Sequence, residues 1–224
     1  ARILLADRCA PPPDHPLRQL DPHQERWHWM ATDVSDDTQG SAAVYMAQDR
    51  FGRLDVLVNA AGIGFEECLH GREGLHQLST FQRVMQVNLM GSFNMMRLAV
   101  SVMMASPLRS GDSGDASRGV IINTASIAAF DGQTGQVAYA ASKGGIAAMT
   151  LPAARDLARD RIRVMAIAPG AFDTPLMAGL PEERQAALAA NRETIAKISQ
   201  DIIGYHTTPE QAADIAQQAG VRYL

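Results

Sequence analysis

The chain has 224 residues, of which 46% are apolar and 20% are charged, the balance of an ordinary globular protein with one large domain or two small ones. Its net charge of −4 argues against a basic surface for nucleic acid. Two cysteines, Cys9 and Cys68, are too few for a disulfide framework, which favours a reducing compartment, the cytoplasm. No apolar run reaches the roughly 20 residues that cross a bilayer, so we expect no membrane partner.

Short apolar runs alternate with helix-length stretches along the chain. Near-continuous apolar runs, typical of parallel strands buried on both faces, predict strands at Ile3–Ala6, Val56–Val58, Val120–Ile122 and Ile162–Ala168, with a weaker candidate at Trp27–Ala31. Helical spacing of apolar residues predicts helices at Asp36–Phe51, capped by Ser35, and at Thr80–Ala105, and the alanine-rich stretch Tyr139–Ala158 predicts a third helix. This alternation predicts an α/β protein with a Rossmann-type, doubly wound parallel sheet in one domain, residues 1–224.

Two polar stretches interrupt this alternation, and the last part of the chain shows no obvious strand. Ala10–Gln24 is rich in proline and predicts a surface loop, or a short helix after the prolines. Ser106–Arg118, rich in Ser, Gly and Asp, predicts an exposed loop before a strand. Ala178–Leu224 is predicted to be helical and polar.

Small, polar or turn-forming residues follow each predicted strand. They are Asp7, then Asp33 and Val34, then Asn59, Ala60, Ala61 and Gly62, then Asn123, Thr124 and Ser126, and finally Pro169 and Gly170. One such ending is ordinary loop chemistry. Because ligands of doubly wound sheets bind beyond the carboxyl ends of the strands, five such endings favour a shared cleft.

The acid after the first strand bears on which ligand this cleft would take. A carboxylate at the position of Asp7 can accept hydrogen bonds from ribose hydroxyls and would repel a 2′-phosphate, which favours NAD over NADP. The same carboxylate could instead cap a turn, and the neighbouring Arg8 could meet a phosphate. The small side chains of Asn59–Gly62 would let the backbone approach a flat ligand, although a plain turn has the same composition.

Tyr139 and Lys143 lie four residues apart on a predicted helix and therefore share one face. An ammonium next to a tyrosine favours the phenolate, which can exchange a proton with a carbonyl or hydroxyl oxygen. Ser126, at a strand end, could hydrogen-bond the same oxygen. Asn88 falls on an apolar stripe, where its carboxamide needs a partner, and it could hold a backbone carbonyl or a water that relays protons from Lys143. Each feature alone is equally compatible with a structural role.

Together and in this order, these residues resemble the short-chain dehydrogenase/reductase family. The resemblance runs from Ala1 to about Leu180. It implies a catalytic tetrad of Asn88, Ser126, Tyr139 and Lys143. Tyr139 would be the acid and base, Ser126 would orient the substrate oxygen, Lys143 would bind the nicotinamide ribose, and Asn88 would complete a proton relay.

The resemblance also implies a cofactor and a substrate surface. NAD would contact Asp7, Asp33, Val34, Asn59, Ala60, Ala61, Gly62, Tyr139, Lys143, Pro169, Gly170, Phe172 and Thr174. The substrate would contact Ser126, Gln133 and Tyr139.

A narrower resemblance, to the type 2 3-hydroxyacyl-CoA dehydrogenases, rests on three segments. They are Val87–Asn94, Arg118–Ser126 with Ala128–Gln133, and Met149–Ala158. That group oxidises L-3-hydroxyacyl-CoA to 3-ketoacyl-CoA with NAD, so the resemblance implies a small, acyl-CoA-like substrate. The family also implies a homodimer or homotetramer, formed through the helices Thr80–Ala105 and Tyr139–Ala158, although both helices could instead pack on their own sheet.

The sequence departs from the family pattern at both ends. The family's strand with the G-x-x-x-G-x-G phosphate loop would precede Ala1 and its last strand would follow Leu224, so we expect a chain that lacks the first and last strands and is truncated or incomplete. The substrate lid would lie at roughly residues 171–206, and its part Ala178–His206 departs from the narrower group.

Other functions remain compatible with the sequence. Within the family, the alternatives are a 3-oxoacyl-ACP reductase and a hydroxysteroid or other alcohol dehydrogenase. A non-catalytic, dinucleotide-binding scaffold is the alternative from another class. The histidines show no metal-ligand spacing, so we expect no metal.

Overall fold

The computed structural model describes residues 2–21, 23, 25–72, 74–110 and 116–170. The residues up to Pro169 form one compact unit in which parallel strands alternate with helices. This architecture confirms the predicted α/β class. The predicted lid and the predicted helical region Ala178–Leu224 lie outside the described residues.

The described residues contain parallel strands and short antiparallel pairs. The strands are β1 Ile3–Asp7, β2 Trp27–Ala31, β3 Val56–Asn59, β4 His70–Gly71, β5 Gly74–Leu75, β6 Arg109–Ser110, β7 Ala116–Ser117, β8 Gly119–Thr124 and β9 Ile162–Ile167. The α-helices are α1 Pro16–Leu20, α2 Asp37–Phe51, α3 Leu78–Val84, α4 Gly91–Ala105 and α5 Val137–Leu157. A π-helical segment, Met85–Met90, joins α3 to α4, and 3₁₀ turns lie at Ile127–Ala129 and Ala158–Asp160.

The parallel strands of the described residues lie in two sheets. β1 pairs with β2, so that Ile3 lies opposite Trp27. In the second sheet β8 is the central strand, between β3 and β9. Because β3, β8 and β9 are parallel, their carboxyl ends lie side by side, as the sequence predicts for one edge of the cleft.

The core lies between the second sheet and the helices α4 and α5. Its buried side chains come from α4, β8 and β9 and are Met96, Ala99, Met103, Ile121, Ile162 and Val164. Side chains of α5, Met149 and Ala153 among them, pack against this cluster, and α2 packs along α4 through Val44. The sequence predicts strands buried on both faces, but Val56 and Val58 are 49% and 54% exposed, because the helices packed on this sheet within the described residues cover one face.

Two helix predictions need correction. Asp36, and not Ser35, caps α2, since its carboxylate accepts the Gln39 N–H at 2.8 Å while the Ser35 hydroxyl donates to Asp33 at 2.7 Å. The predicted helix Thr80–Ala105 begins at Leu78 and changes to π-helical geometry in its middle. A π-helical turn holds an extra residue, which the spacing of apolar side chains does not reveal.

The loop predictions have mixed outcomes. The short helix after the prolines, one of the two alternatives for Ala10–Gln24, is present as α1 and has Pro16 in its first turn. The predicted loop Ser106–Arg118 contains the paired strands β6 and β7, which are too short to produce a periodic pattern. Within the described residues, no helix is long and apolar enough to cross a membrane.

We expect the substitution of glycine by alanine to have opposite effects on stability at a glycine of β8, which lies close to α4, and at a glycine of α5. A Cβ at Gly119 would lie 2.6 Å from Met103 Sδ and 3.0 Å from the Asp55 carbonyl oxygen. We therefore expect Gly119→Ala to lower the free energy of unfolding by about 1–3 kcal/mol, the usual cost of overpacking a core.

The matched control is Gly144→Ala in α5, where the new Cβ would lie 3.8 Å from the Ala129 carbonyl oxygen, an ordinary contact. This variant should gain about 0.5–1 kcal/mol, because alanine is the better helix former. Urea denaturation of both variants measures the difference, and equal midpoints for the two variants would contradict the packing described here.

Candidate active site

A buried asparagine anchors the loop that follows β3. Asn88 lies in the π-helical segment and is fully buried. Its Oδ1 accepts the N–H of Ile63 at 2.8 Å, and its Nδ2 donates to the Ile63 carbonyl at 2.9 Å. The carboxamide therefore pairs with both polar backbone groups of Ile63, as a neighbouring strand would, and fixes the loop at that residue.

Two serine hydroxyls complete the hydrogen bonds of Asn88. Its Nδ2 also donates to Ser142 Oγ on α5 at 3.0 Å, and Ser92 Oγ donates to the Asn88 backbone carbonyl at 2.6 Å. The side chain thus uses one acceptor and two donors inside the protein, which offsets the cost of burying an amide. The proton-relay role that the resemblance implies for Asn88 stays a prediction.

Lys143 brings a buried positive charge to the carboxyl end of β8. It is 4% exposed, and its Nζ donates to the Thr124 carbonyl at 2.6 Å. Burial lowers the pKa of the Lys143 ammonium to about 8, because desolvation disfavours the charged form. Its Nζ lies 5.7 Å from the centroid of the Tyr139 ring, which places the two side chains together as their spacing predicts. A lysine with this pKa can bind and release a proton close to neutral pH.

The loop after β3 passes close to Tyr139 and Lys143. A Cβ at Gly62 would lie 3.3 Å from Asn88 Oδ1 and 3.7 Å from Lys143 Nζ. A Cβ at Gly64 would lie 3.6 Å from Tyr139 Cδ2. The loop backbone therefore lies close to these side chains, and an added Cβ would be tight only at Gly62, against Asn88.

Ser126 lies where β8 leads into the 3₁₀ turn. Its Oγ accepts the N–H of Ala128 at 3.2 Å, and the side chain is 9% exposed. The turn that it caps packs against α5, the helix that carries Tyr139. An accepted hydrogen bond leaves the hydroxyl proton of Ser126 to be donated elsewhere.

Gln133 lines a cleft of about 460 Å³. One wall is the segment Glu67–His70, which leads into the β4–β5 hairpin, and the other is formed by residues 132–137 and Ala140 of α5. A hydrogen bond of 2.9 Å from the Glu67 N–H to the Gly135 carbonyl joins the two walls. The sequence pattern did not reveal the hairpin wall.

The two predicted acids follow strands of the first sheet. Asp7 is the last residue of β1 and is exposed, and its carboxylate accepts the Cys9 N–H at 2.8 Å. Asp33 accepts hydrogen bonds from the hydroxyl and the N–H of Ser35, at 2.7 and 3.0 Å. These bonds lower the pKa of Asp33, so the carboxylate is ionised at neutral pH. Both acids also shape their own turns.

Two further asparagines hold strand ends and loops. Asn94 Nδ2 donates to the Val34 carbonyl at 2.9 Å and so ties the loop after β2 to α4. Asn59 Nδ2 donates to the Ser92 carbonyl at 3.1 Å and to Asn123 Oδ1 at 2.9 Å. The predicted residues Val34 and Asn59 are therefore fixed against the same helix.

The loop after β9 is described only in part. The Pro169 carbonyl accepts the N–H of Ile127 at 3.0 Å, which ties this loop to the 3₁₀ turn, and Gly170 is exposed. The predicted cofactor contacts Phe172 and Thr174 lie outside the described residues.

The described residues fit a nicotinamide dinucleotide in their chemistry. Ala60, Ala61 and Gly62 are small and exposed, so a flat ring can approach the backbone. The exposed carboxylate of Asp7 suits ribose hydroxyls. Lys143 offers an ammonium close to this loop, since a Cβ at Gly62 would lie 3.7 Å from its Nζ.

Comparison with known proteins shows the family. A family model described as short chain dehydrogenase matches residues 1–185. The chain belongs to the short-chain dehydrogenase family. This finding confirms the resemblance that the motifs indicate.

Several similar proteins carry the name 3-hydroxyacyl-CoA dehydrogenase type-2, and others at 34% identity are named as a 3-oxoacyl-[acyl-carrier-protein] reductase and as hydroxycyclohexanecarboxylate dehydrogenases. The 3-hydroxyacyl-CoA dehydrogenase type-2 of Drosophila melanogaster is 42% identical over 191 residues, which cover 84% of this chain and 72% of that protein. The Homo sapiens protein of the same name is 52% identical over 153 residues, covering 67% and 57%. The crystal structure of 3-hydroxyacyl-CoA dehydrogenase type-2 from Mycobacterium avium superposes with a TM-score of 0.67 at 34% identity, covering 79% of this chain and 67% of that chain. The chain spans 57–60% of the length of the mammalian relatives.

Sequence reasoning missed several members of this short-chain dehydrogenase site. Ser92 and Ser142 both contact Asn88, and Ile63 is held through its backbone alone. A contact made through backbone atoms does not depend on the type of residue, so the sequence cannot reveal it. Ser142 does leave one, since it lies three residues after Tyr139 and next to Lys143 on a helix that is otherwise rich in alanine.

The burial of Lys143 predicts an unusual titration. The whole sequence contains two lysines, Lys143 and Lys197, so protein labelled with ¹³C-lysine gives two Cε signals. We expect the Lys143 signal to titrate with a midpoint near pH 8, because burial disfavours the ammonium. An ordinary lysine titrates at about pH 10.4.

The control is Lys143→Arg, which should remove the transition near pH 8 and leave the Lys197 signal in place. Nuclear magnetic resonance between neutral and alkaline pH makes the measurement. Two signals that both titrate near the ordinary lysine value would show that Lys143 is not desolvated in solution.

Proposed function

We propose that this short-chain dehydrogenase is an NAD-dependent oxidoreductase that interconverts a secondary alcohol and a ketone, with 3-hydroxyacyl-CoA and 3-ketoacyl-CoA as its substrate pair. The observation that carries the proposal is the placement of the buried Lys143 ammonium beside Tyr139 and close to the exposed loop that follows β3. A buried cation next to a phenol has no structural need to lie against an exposed loop. It suits proton transfer at a bound ligand.

Each residue has a role that follows from its chemistry. The Tyr139 oxygen takes the proton of the substrate hydroxyl in the oxidation and returns it in the reduction. Ser126 donates its hydroxyl proton to the same substrate oxygen. Lys143, with a pKa of about 8, places a positive charge beside the Tyr139 ring and can bind and release a proton close to neutral pH.

The cofactor completes this reaction. A bound nicotinamide dinucleotide supplies the acceptor for the hydride that leaves the carbinol carbon. The carbon loses a hydride and the oxygen loses a proton, so the alcohol becomes a ketone. Asp7 supports NAD as the dinucleotide, since its exposed carboxylate would repel the 2′-phosphate of NADP.

The substrate class rests on the relatives and on the cleft. The similar proteins from Drosophila melanogaster, Homo sapiens and Mycobacterium avium are all named 3-hydroxyacyl-CoA dehydrogenase type-2. The cleft beside Gln133 is lined by Ala140, the residue after Tyr139, and a long substituent such as an acyl-CoA chain would extend into it. Gln133 then faces the substrate, as the resemblance implies.

A homodimer or homotetramer is part of the same proposal. Large apolar side chains on the predicted interface helices are exposed within the described residues, among them Phe93 and Met104 on α4 and Leu151 on α5. Their exposed fractions are 48%, 40% and 55%. Exposed large apolar side chains on both helices favour a second subunit.

The direct test is Tyr139→Phe in the full-length protein, with Tyr45→Phe as the matched control on the exposed face of α2. The assay follows NADH formation from NAD and 3-hydroxybutyryl-CoA by absorbance. We expect Tyr139→Phe to lose at least about a hundredfold in kcat, because the phenylalanine ring cannot accept a proton. Tyr45→Phe should keep the wild-type rate.

Three results would overturn the proposal in different ways. Ordinary turnover by Tyr139→Phe would remove tyrosine from the mechanism. Preference for NADP and for an acyl-ACP substrate would make the protein a 3-oxoacyl-ACP reductase. A wild-type protein that binds NADH, as measured by fluorescence, and turns over no alcohol or ketone would be a dinucleotide-binding scaffold.

A further inference from the structure

We infer that Ser142 is a positioning residue, whose hydroxyl sets the orientation of the Asn88 carboxamide and through it the position of the loop Ala60–Gly64. The inference rests on the proposed function for its kinetic consequence, although its structural part stands alone. Ser142 is fully buried and contacts both Asn88 and the backbone of Tyr139.

The hydrogen bonds of Ser142 fix the direction of its proton. Its Oγ lies 2.7 Å from the Tyr139 carbonyl and 3.0 Å from Asn88 Nδ2. A carbonyl can only accept, so the single hydroxyl proton is donated to Tyr139. The oxygen then presents lone pairs alone to Asn88, and the group of Asn88 that faces Ser142 must be the NH₂.

This direction selects one of the two orientations of the Asn88 carboxamide. With Nδ2 toward Ser142, the same NH₂ donates its second proton to the Ile63 carbonyl, and Oδ1 accepts the Ile63 N–H. The flipped amide would place an oxygen against the Ser142 lone pairs and against the Ile63 carbonyl. Ser142 therefore favours the orientation that holds the loop, and the loop borders Lys143 and Tyr139.

A serine elsewhere in a helix does not orient an asparagine side chain in this way. The Ser101 hydroxyl on α4 makes the same type of bond to a carbonyl three residues earlier, Leu98, also at 2.7 Å. Ser101 is exposed and has no part in the site. It provides a matched control, because Ser101→Ala removes an equivalent bond within a helix and leaves Asn88 untouched.

The first experiment measures hydrogen exchange at the Ile63 amide in the full-length protein without ligands. We expect Ser142→Ala to lower the protection of that amide by about five- to tenfold, the effect of weakening one buried hydrogen bond. Ser101→Ala should leave it unchanged. In an Asn88→Ala background, Ser142→Ala should have no further effect, because the inference assigns its action to the Asn88 side chain.

The second experiment separates positioning from a general loss of stability. At a temperature where all variants are folded, Ser142→Ala should raise the KM for NAD about five- to tenfold and change kcat by less than twofold, because a loose loop weakens binding in the ground state and transition state alike. Its KM for the hydroxyacyl substrate should stay near the wild-type value. A merely structural serine would shift the unfolding midpoint and leave both KM values alone.

The outcomes keep the two proposals apart. Unchanged Ile63 protection in Ser142→Ala overturns the inference, whatever the activity. An equal loss of protection in the presence and absence of Asn88 also overturns it. Reduced protection in a protein that turns over no hydroxyacyl substrate supports the positioning role and rejects the proposed function.

Discussion

The hydrogen bonds between the Asn88 carboxamide and the backbone of Ile63 hold the site together. Asn88 is fully buried, so its amide would cost about 1–3 kcal/mol if it lost its partners. The loop Ala60–Gly64, with which it pairs, consists largely of alanine and glycine and has little apolar surface to bury. Its position therefore depends on a polar contact from the π-helical segment, and the space beside Tyr139 and Lys143 depends on the loop.

The helix α4 holds strand ends and loops of both parallel sheets. Asn94 holds the loop after β2 through the Val34 carbonyl, and the Ser92 carbonyl accepts from Asn59 at the end of β3. The apolar face of the same helix packs on β8 and β9. One element thus supplies both the hydrophobic contact that stabilises the sheet and the amides that position the loops where ligands of such sheets bind.

Much of the fold could be predicted from the sequence, because buried parallel strands leave continuous apolar runs such as Val120–Ile122. The neighbourhood of Tyr139 and Lys143 follows from their spacing on one helix. The π-helical geometry around Asn88 could not be predicted, since one extra residue in a turn leaves the apolar stripe nearly intact. The cap at Asp36 was missed for a different reason: Ser35 and Asp36 are both good capping residues, and only the contact with Asp33 decides between them.

The dissociation constant of NADH in Asn88→Ala, compared with the wild-type full-length protein at a temperature where both are folded, tests the central claim most directly. Fluorescence titration measures it without any assumption about the substrate. If Asn88 holds the loop against which the dinucleotide lies, the variant should bind NADH at least about tenfold more weakly, as expected for the loss of more than one buried hydrogen bond. Equal affinities in a correctly folded variant would contradict the account.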